Sequence, residues 1–309
     1  ALTRRYLIED SDSINLVGEV TEDDWENDKV FKEIGKGKFS IVTQRELFSE
    51  LVAAKQFLDT TSDEDFLREV FWSIRLRHPF IVAYRGFFMN PPKHKIIFYE
   101  LMPGTLKSEL LDKTSSEGIA MNIRLRWALQ AVEAVAHLHV NDVVHRDINT
   151  KNLLLSREYV VKLSDFTFVT RYPNTNDSQL GAPSQHIEFY GQSRPANGQG
   201  RPTNGNLSGI AAPSGEPLIV GTLRYMSPEM HARDCKDLKA SDMWSLALTV
   251  LDIVTLKRPH KDLTEKGISD LLTLRYKQTQ RISIDDDTFF PDYRLEDDVW
   301  KYEKLKDLQ

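Results

Sequence analysis

The sequence predicts an α+β fold in which a small antiparallel sheet with one helix precedes a mainly helical region. Apolar and polar residues alternate in strand fashion through the first part of the chain. This alternation predicts five strands: Val30–Ile34, Phe39–Arg45, Leu51–Phe57, Ile81–Phe88 and Lys95–Leu101. Residues 62–65 match a capping box, and apolar residues follow at helical spacing to Ile74, so one helix interrupts the strands. After Gly104 the apolar spacing becomes helical.

The later region combines helices with two short strands. One long amphipathic helix is marked by Leu125, Ala128, Leu129, Val132, Val135, Ala136 and His139. Short apolar runs predict strands at Leu153–Leu155 and Val160–Leu163, and residues 242–256 form the most apolar predicted helix. Residues 173–217 have a different composition from the rest of the chain, because 27 of their 45 positions are Gly, Pro, Ser, Asn or Gln. Such a segment buries little apolar surface, so we expect a disordered insertion.

Composition and charge narrow the class of protein. The chain has 309 residues, of which 40% are hydrophobic and 28% charged, as in a folded globular protein. A net charge of −6 gives no case for nucleic-acid binding. The longest apolar run, residues 243–256, is interrupted by Asp252 and is too short to span a bilayer. One cysteine, Cys235, and no signal-peptide pattern favour an intracellular, cytoplasmic location without membrane binding.

The N-terminal 28 residues form a separate acidic region. They carry nine acidic side chains against two arginines, with few periodic apolar positions. We expect either a flexible extension or a wrap on the domain surface. This region and the insertion at residues 173–217 are the two candidate places for a regulatory partner.

A glycine-rich turn lies between the first two predicted strands. Residues 34–42 read IGKGKFSIV. Glycines at a hairpin tip let backbone N–H groups approach phosphate oxygens, although an ordinary hairpin turn gives the same pattern. The candidate phosphate-binding residues are Gly35, Lys36 and Gly37.

A lysine follows in the third predicted strand. Lys55 is either an exposed residue of an edge strand or a phosphate-binding residue. Glu69 on the following helix favours the phosphate-binding role, because it could hold the Lys55 ammonium against the α- and β-phosphates.

The most specific motif is VHRDINTKNLLL at residues 144–155. It resembles the catalytic loop HRDxxxxN of protein kinases. By this resemblance Asp147 accepts or orients the proton of the substrate hydroxyl, and Asn152 is a ligand of Mg²⁺. Arg146 is expected to meet a phosphate or an acid on the activation segment.

Three further motifs follow in the order that protein kinases have. Residues 163–167 read LSDFT, which resembles the DFG motif with Thr167 in the place of glycine. The resemblance implies that Asp165 is the main Mg²⁺ ligand and that Phe166 packs beneath the helix that bears Glu69. Residues 221–229, GTLRYMSPE, resemble the end of an activation segment, and DMWSL from residue 242 resembles the start of the central C-lobe helix.

The same resemblance assigns an adenine site. It places Tyr99 at the gatekeeper position and expects the hinge residues Glu100 and Met102 to hydrogen-bond adenine. The apolar residues expected to sandwich the purine are Val42, Ala53 and Leu154. Each of these three also fits a plain core position.

Three residues depart from the pattern. Asn149 stands where serine/threonine kinases usually carry lysine, as it does in some tyrosine-kinase-like families, including LIM kinases. The nearby Lys151 is a candidate source of the missing charge. Thr167 resembles haspin-like kinases, and Ser73 replaces a leucine that usually couples the helix to Phe166.

The resemblance implies a bilobal protein-kinase-like fold with an N-lobe at residues 29–101 and a C-lobe at 102–309. It implies an enzyme that uses ATP and Mg²⁺ to phosphorylate a protein substrate, and Thr222 favours serine and threonine hydroxyls. A nucleotide-binding pseudokinase scaffold and a dual-specificity kinase are the alternatives.

The insertion at residues 173–217 is either passive or regulatory. In the regulatory case, one of its hydroxyls would be phosphorylated and would pair with Arg146. Candidates are Thr175, Ser178, Ser184, Ser193, Thr203, Ser208 and Ser214.

Overall fold

A five-stranded antiparallel sheet forms the first lobe. In the structure, a computed structural model, the described residues are 20–21, 32–90, 94–112, 119–172 and 220–279. The strands are β1 (Lys32–Lys36), β2 (Ser40–Leu47), β3 (Glu50–Phe57), β4 (Tyr84–Asn90) and β5 (His94–Glu100). Their order in the sheet is β1-β2-β3-β5-β4, and each neighbouring pair is antiparallel.

One helix, α1 (Asp63–Arg75), packs against this sheet. Ser62 caps its N-terminus by accepting a hydrogen bond from the amide of Asp65 at 3.0 Å. Three acidic residues in the first turn suit the positive end of the helix dipole. The ring of Phe66 meets those of Phe57 and Phe87 edge to face, so the helix is fixed to the sheet by aromatic packing. The predicted helix and its cap are confirmed.

The second lobe is mainly helical. Its helices are α2 (Leu106–Asp112), α3 (Met121–Val140), α4 (Pro228–His231), α5 (Leu238–Thr255) and α6 (Glu265–Thr279). Short strands are β6 (Gly104–Thr105), β7 (Val143–Val144), β8 (Leu153–Leu155), β9 (Val161–Leu163) and β10 (Thr170–Arg171). They form two small sheets, β6-β8-β9 and β10-β7. This arrangement confirms the predicted α+β bilobal fold.

The segment before β4 joins the lobes rather than extending the first sheet. The predicted strand Ile81–Phe88 begins at Tyr84 instead. Ile81 forms a parallel bridge with Leu163, while the amide of Val82 donates to the Leu163 carbonyl at 2.9 Å. These apolar residues therefore keep their extended conformation but pair with the other lobe.

The predicted buried face of α3 is wrong in part. Leu125, Leu129 and Val132 are exposed by 53%, 56% and 38%. Trp127 and Leu138 lie in the core instead. Because α3 carries apolar residues on most of its circumference, helical spacing alone did not decide which face turns inward.

Part of the N-terminal region packs on the first lobe. Val20 is buried against the face of the sheet that carries Ala54 and Phe98, and its amide donates to the Phe87 carbonyl at 2.8 Å. The rest of the predicted 1–28 extension and the whole 173–217 insertion, with its seven candidate phosphorylation sites, lie outside the described residues. Of the helices described, none is long and apolar enough to cross a membrane.

Candidate active site

Strand register brings the predicted nucleotide-binding side chains to one face of the first sheet. Val42 pairs with both Gly35 and Lys55, and Ala53 pairs with Tyr99. Directly opposed residues of neighbouring strands point to the same side, so these five positions share a surface. Val42 and Ala53 are half-buried there, as expected for residues that a flat ligand would cover.

Lys55 is the centre of a charged cluster beneath this surface. Its ammonium lies 2.6 Å from Glu69 Oε1 on α1 and 2.8 Å from Asp165 Oδ1. Burial alone would lower the pKa of Lys55, but the carboxylates of Asp165 and Glu69 outweigh it and raise the pKa. Burial likewise acts against ionisation of Asp165, yet the charge and hydrogen bond of Lys55 lower its pKa below the ordinary value. The cluster therefore holds a charged lysine and an ionised Asp165 at neutral pH.

A buried aspartate of α5 anchors the catalytic-loop motif. Asp242 accepts the amide of His145 at 2.7 Å and that of Arg146 at 2.8 Å. Arg146 has a φ of 67°, a left-handed conformation that these two hydrogen bonds hold in place. Its side chain donates to the Phe168 carbonyl at 2.7 Å, and burial lowers its pKa to about 10. Arg146 thus supports the backbone just after Asp165.

Asp147 lies in a pocket of donors. Asn149 Nδ2 and the amide of Thr222 donate to its Oδ1 at 2.9 and 2.8 Å, and Asn152 Nδ2 donates to its Oδ2 at 2.8 Å. Burial and the negative charge of Asp165 raise the pKa of Asp147, while the hydrogen bond from Thr222 opposes that rise. The carboxylate is therefore held in one orientation beside the activation segment.

The amide group of Asn152 is oriented in the same way. Its nitrogen donates to Asp147, so its oxygen remains available as a ligand atom. The Asn152 carbonyl accepts from the amide and hydroxyl of Ser164, both at 2.9 Å, which fixes it next to Asp165. One carboxylate and one amide oxygen, completed by phosphate oxygens, form a ligand set of the type that Mg²⁺ prefers.

Asn149 and Lys151, predicted as catalytic residues, differ in their surroundings. Asn149 is buried and donates to Asp147 and to the Thr222 hydroxyl, the latter at 3.2 Å. Lys151 is exposed, and no hydrogen bond or ion pair joins its ammonium to another described residue. Thr222 reaches Asp147 through its backbone amide, whereas its hydroxyl accepts from Asn149.

The two predicted hinge residues, Glu100 and Met102, have different surroundings. Met102 is buried, and within the described segments its amide and carbonyl make no backbone hydrogen bond, so both are available to an adenine edge. The carboxylate of Glu100 is engaged by Lys162, a partner that sequence reasoning missed because a lysine within a three-residue strand gives no signal. Leu154, the predicted base-covering residue of the second lobe, is half-buried in β8.

The glycine turn lies at the end of the two strands that form it. Gly35 is half-buried, whereas Lys36 and Gly37 are exposed. The Gly37 amide donates to the Ser40 carbonyl at 2.8 Å, which closes the turn. Phe166 is buried in the core cluster that also contains Phe66 of α1.

Comparison with known proteins agrees with this geometry. The family model described as the protein kinase domain matches residues 29–187. The serine/threonine-protein kinase CTR1 of Arabidopsis thaliana is 27% identical over 273 residues, covering 86% of this chain and 29% of that protein. A protein kinase and PP2C-like domain-containing protein of the same plant is 28% identical over 250 residues, covering 80% and 34%. The kinase and exchange factor for Rac A of Dictyostelium discoideum is 30% identical over 257 residues, covering 76% and 18%.

A two-lobed fold with a lysine–glutamate pair and an aspartate held between two asparagines is the arrangement found in protein kinase domains. The chain belongs to the protein kinase domain family. It spans about a third or less of the length of the relatives named above.

Proposed function

We propose that this chain is an ATP- and Mg²⁺-dependent protein kinase that transfers the γ-phosphate to serine or threonine hydroxyls of a protein substrate. The observation that carries the proposal is the arrangement of donors around Asp147, which leaves its carboxylate fixed next to the activation segment. The hydroxyl class is supported by similarity to relatives such as the serine/threonine-protein kinase CTR1 of Arabidopsis thaliana.

Each residue has a separate role in this proposal. Lys55, held by Glu69, would bind the α- and β-phosphates, while Asp165 and Asn152 would hold Mg²⁺. The ion supplies neutralisation of charge on the phosphates. Asp147 orients the hydroxyl and accepts its proton as the bond to phosphorus forms. Because phosphoryl transfer depends on positioning and charge, these fixed side chains meet its main requirements.

The adenine site belongs to the same proposal. The backbone of Met102 and the carbonyl of Glu100 would pair with the base, and Val42, Ala53 and Leu154 would cover its faces. The half-buried state of these three side chains supports that role. Gly35, Lys36 and Gly37 would cover the phosphates.

Asn149 supports placing this chain among the tyrosine-kinase-like families, with a catalytic loop similar to that of LIM kinases. Asn149 fills the lysine position and binds both Asp147 and Thr222, so it retains a positioning role without charge. Dual specificity follows as an alternative, since the contact of Thr222 with Asp147 runs through the backbone. We further propose a cytoplasmic location and a regulatory partner at the N-terminal region or at the insertion.

The experiment that tests the proposal is phosphate transfer to a generic protein substrate, measured for wild type and Asp147→Asn. The proposal expects transfer by wild type and its loss, by at least a thousandfold, in the variant, since Asp147 is the catalytic base. Asp262→Asn changes an exposed aspartate of the same lobe and should retain wild-type activity. Equal silence of wild type and Asp147→Asn, with a thermal shift on adding Mg·ATP, would instead establish the pseudokinase alternative.

A further inference from the structure

Three residues with hydroxyl groups, two of which depart from the usual kinase pattern, meet at Glu69. Thr167, Ser73 and Tyr99 come from three different elements, namely the segment after Asp165, helix α1 and strand β5. All three hydroxyl groups lie within hydrogen-bonding distance of Glu69. A leucine or a glycine at positions 73 and 167 would offer no hydroxyl, so this network is specific to the residues that this chain carries.

Thr167 contacts all the charged groups of the cluster. Its hydroxyl oxygen lies 2.9 Å from Glu69 Oε2, 2.6 Å from Asp165 Oδ1 and 2.9 Å from the Lys55 ammonium. A hydroxyl has one proton to donate and lone pairs to accept with. Thr167 therefore accepts from Lys55 and donates to one carboxylate at a time, either Glu69 or Asp165.

The three protons of Lys55 are all engaged by this cluster. They point to Glu69 Oε1, Asp165 Oδ1 and the Thr167 hydroxyl, at 2.6, 2.8 and 2.9 Å. If Asp165 holds Mg²⁺, as proposed above, Glu69 Oε2 would be the acceptor left for the Thr167 proton, and the hydroxyl would then add to the hold on Glu69.

Ser73 and Tyr99 also form hydrogen bonds with Glu69, through atoms that Thr167 does not contact. The Ser73 hydroxyl donates to the Glu69 carbonyl at 2.7 Å and lies 2.8 Å from the Tyr99 hydroxyl. Tyr99 in turn donates to Glu69 Oε1 at 3.2 Å. Burial and the charge of Glu69 raise the pKa of Tyr99, so the phenol remains a donor. These residues are buried, and hydrogen bonds to a charged group are strong in such surroundings.

We propose that Thr167 and Tyr99 are positioning residues that clamp both carboxylate oxygens of Glu69. They hold α1 in the arrangement in which Glu69 meets Lys55. The proposal rests on the proposed function only in so far as Lys55 and Asp165 serve a nucleotide. Ser73 and Thr167, which both depart from the usual kinase pattern, thereby have a role in holding Glu69.

The test is amide hydrogen exchange of α1 in the full chain without nucleotide, so that it does not depend on catalysis. Thr167→Val removes the hydroxyl at constant shape, and Tyr99→Phe removes the phenol proton. Each should speed exchange in α1 on the order of tenfold relative to α5, because a hydrogen bond to a buried carboxylate is lost. Thr167→Ser keeps the hydroxyl and should exchange like wild type. Tyr159→Phe, an exposed tyrosine of the second lobe, is the matched control.

A second measurement follows the nucleotide site. The Kd for Mg·ADP should rise about fivefold to tenfold in Thr167→Val and return to the wild-type value in Thr167→Ser. Unchanged α1 exchange in both Thr167→Val and Tyr99→Phe would overturn the proposal. An equal rise in α1 and α5 would overturn it too, since that result means general destabilisation. Failure of wild type to transfer phosphate would reject the proposed function. The hydrogen-exchange measurement would still test whether Thr167 and Tyr99 hold Glu69, because it does not depend on catalysis.

Discussion

Lys162 on β9 donates from its ammonium to both carboxylate oxygens of Glu100, at 2.7 and 2.8 Å, across the junction of the two lobes. Glu100 Oε1 also accepts from the Ala83 amide at 2.7 Å, and the Glu100 amide donates to the Ala83 carbonyl at 2.9 Å. One residue at the end of β5 thus ties the hinge to β9 and to the segment that leads into β4. The position of the proposed adenine edge at Met102 depends on this junction.

Lys162→Met should weaken ATP binding by releasing the hinge. The pair is largely buried, with side chains exposed by 20% and 19%, and it is bidentate, so its loss is expected to raise the KM for ATP about fivefold to tenfold. The kcat should change by less than twofold, because Asp147 and Asp165 are untouched. Steady-state kinetics at varied ATP concentration would measure both constants.

The control for this prediction is Lys236→Met. Lys236 lies 3.9 Å from Asp234 and is exposed by 82%, and exposed pairs of this kind contribute little. It should leave KM and kcat at wild-type values. If Lys162→Met behaves like Lys236→Met, the hinge is held by its backbone alone and the role assigned to Glu100 is wrong.

Asn149→Ala should lower kcat with little effect on the KM for ATP. Asn149 joins Asp147 to Thr222 through one amide group, so its loss frees the carboxylate to turn and leaves donors and acceptors unpaired. We expect a fall in kcat of about 10- to 100-fold. Lys151→Ala provides the comparison, since Lys151 is exposed and its ammonium has no partner among the described residues.

Comparison of Asn149→Ala with Lys151→Ala decides which of the two side chains positions the reacting groups. A larger loss of kcat in Lys151→Ala than in Asn149→Ala would mean that the lysine ammonium reaches the transferred phosphate. It would contradict the role that we give to the Asn149 amide. Turnover under saturating ATP is the relevant measurement.

Much of the fold follows from local pattern in the sequence. The strands β3 and β8 lie where alternation and apolar runs place them, and Ser62 caps α1 as its capping box predicts. These features depend on residues close in the chain, where side-chain direction and backbone propensity act directly. The catalytic motifs are equally local, and their order identifies the family.

Contacts between residues far apart in the chain were harder to predict from the sequence. The inward face of α3 depends on what packs against it, and both Leu129 and Trp127 satisfy an apolar pattern. The pairing of Lys162 with Glu100 joins residues 62 positions apart and involves side chains that look like ordinary surface charges. The network around Glu69 could not be predicted either, because Thr167 and Tyr99 lie 98 and 30 positions from Glu69 in the chain.

Stability should depend on pH through the stacked pair His78 and His137. Their rings lie 4.8 Å apart with an interplanar angle of 25°, which joins the segment before β4 to α3. Burial, with a smaller contribution from His78, lowers the pKa of His137 below its ordinary 6.5. The unfolded chain then binds more protons than the folded chain between those two pKa values, so the free energy of unfolding falls as pH falls through that window.

His137→Gln removes this titration and should reduce the pH dependence. The difference in Tm between pH 7.5 and pH 5.5 is expected to be smaller in the variant than in wild type, and thermal denaturation measures it. His94→Gln serves as a control on the first lobe. An unchanged or larger difference in His137→Gln would show that protonation of this stack does not oppose folding.

Gly221→Ala should impair catalysis through the backbone rather than through a lost side chain. Gly221 has a φ of 109°, and an added Cβ would lie 2.6 Å from the Arg146 carbonyl oxygen, closer than non-bonded atoms approach. Relief of that clash would displace Thr222, whose amide donates to Asp147 Oδ1 at 2.8 Å. We expect a fall in kcat of at least tenfold and a loss of about 1–3 kcal/mol of stability.

Gly104→Ala is the control for this prediction. Among the described residues, its Cβ would meet only the Ser108 hydroxyl, at 3.5 Å, so the substitution should leave both quantities unchanged. Wild-type kcat in Gly221→Ala would mean that the Thr222 amide is not needed to hold the catalytic carboxylate.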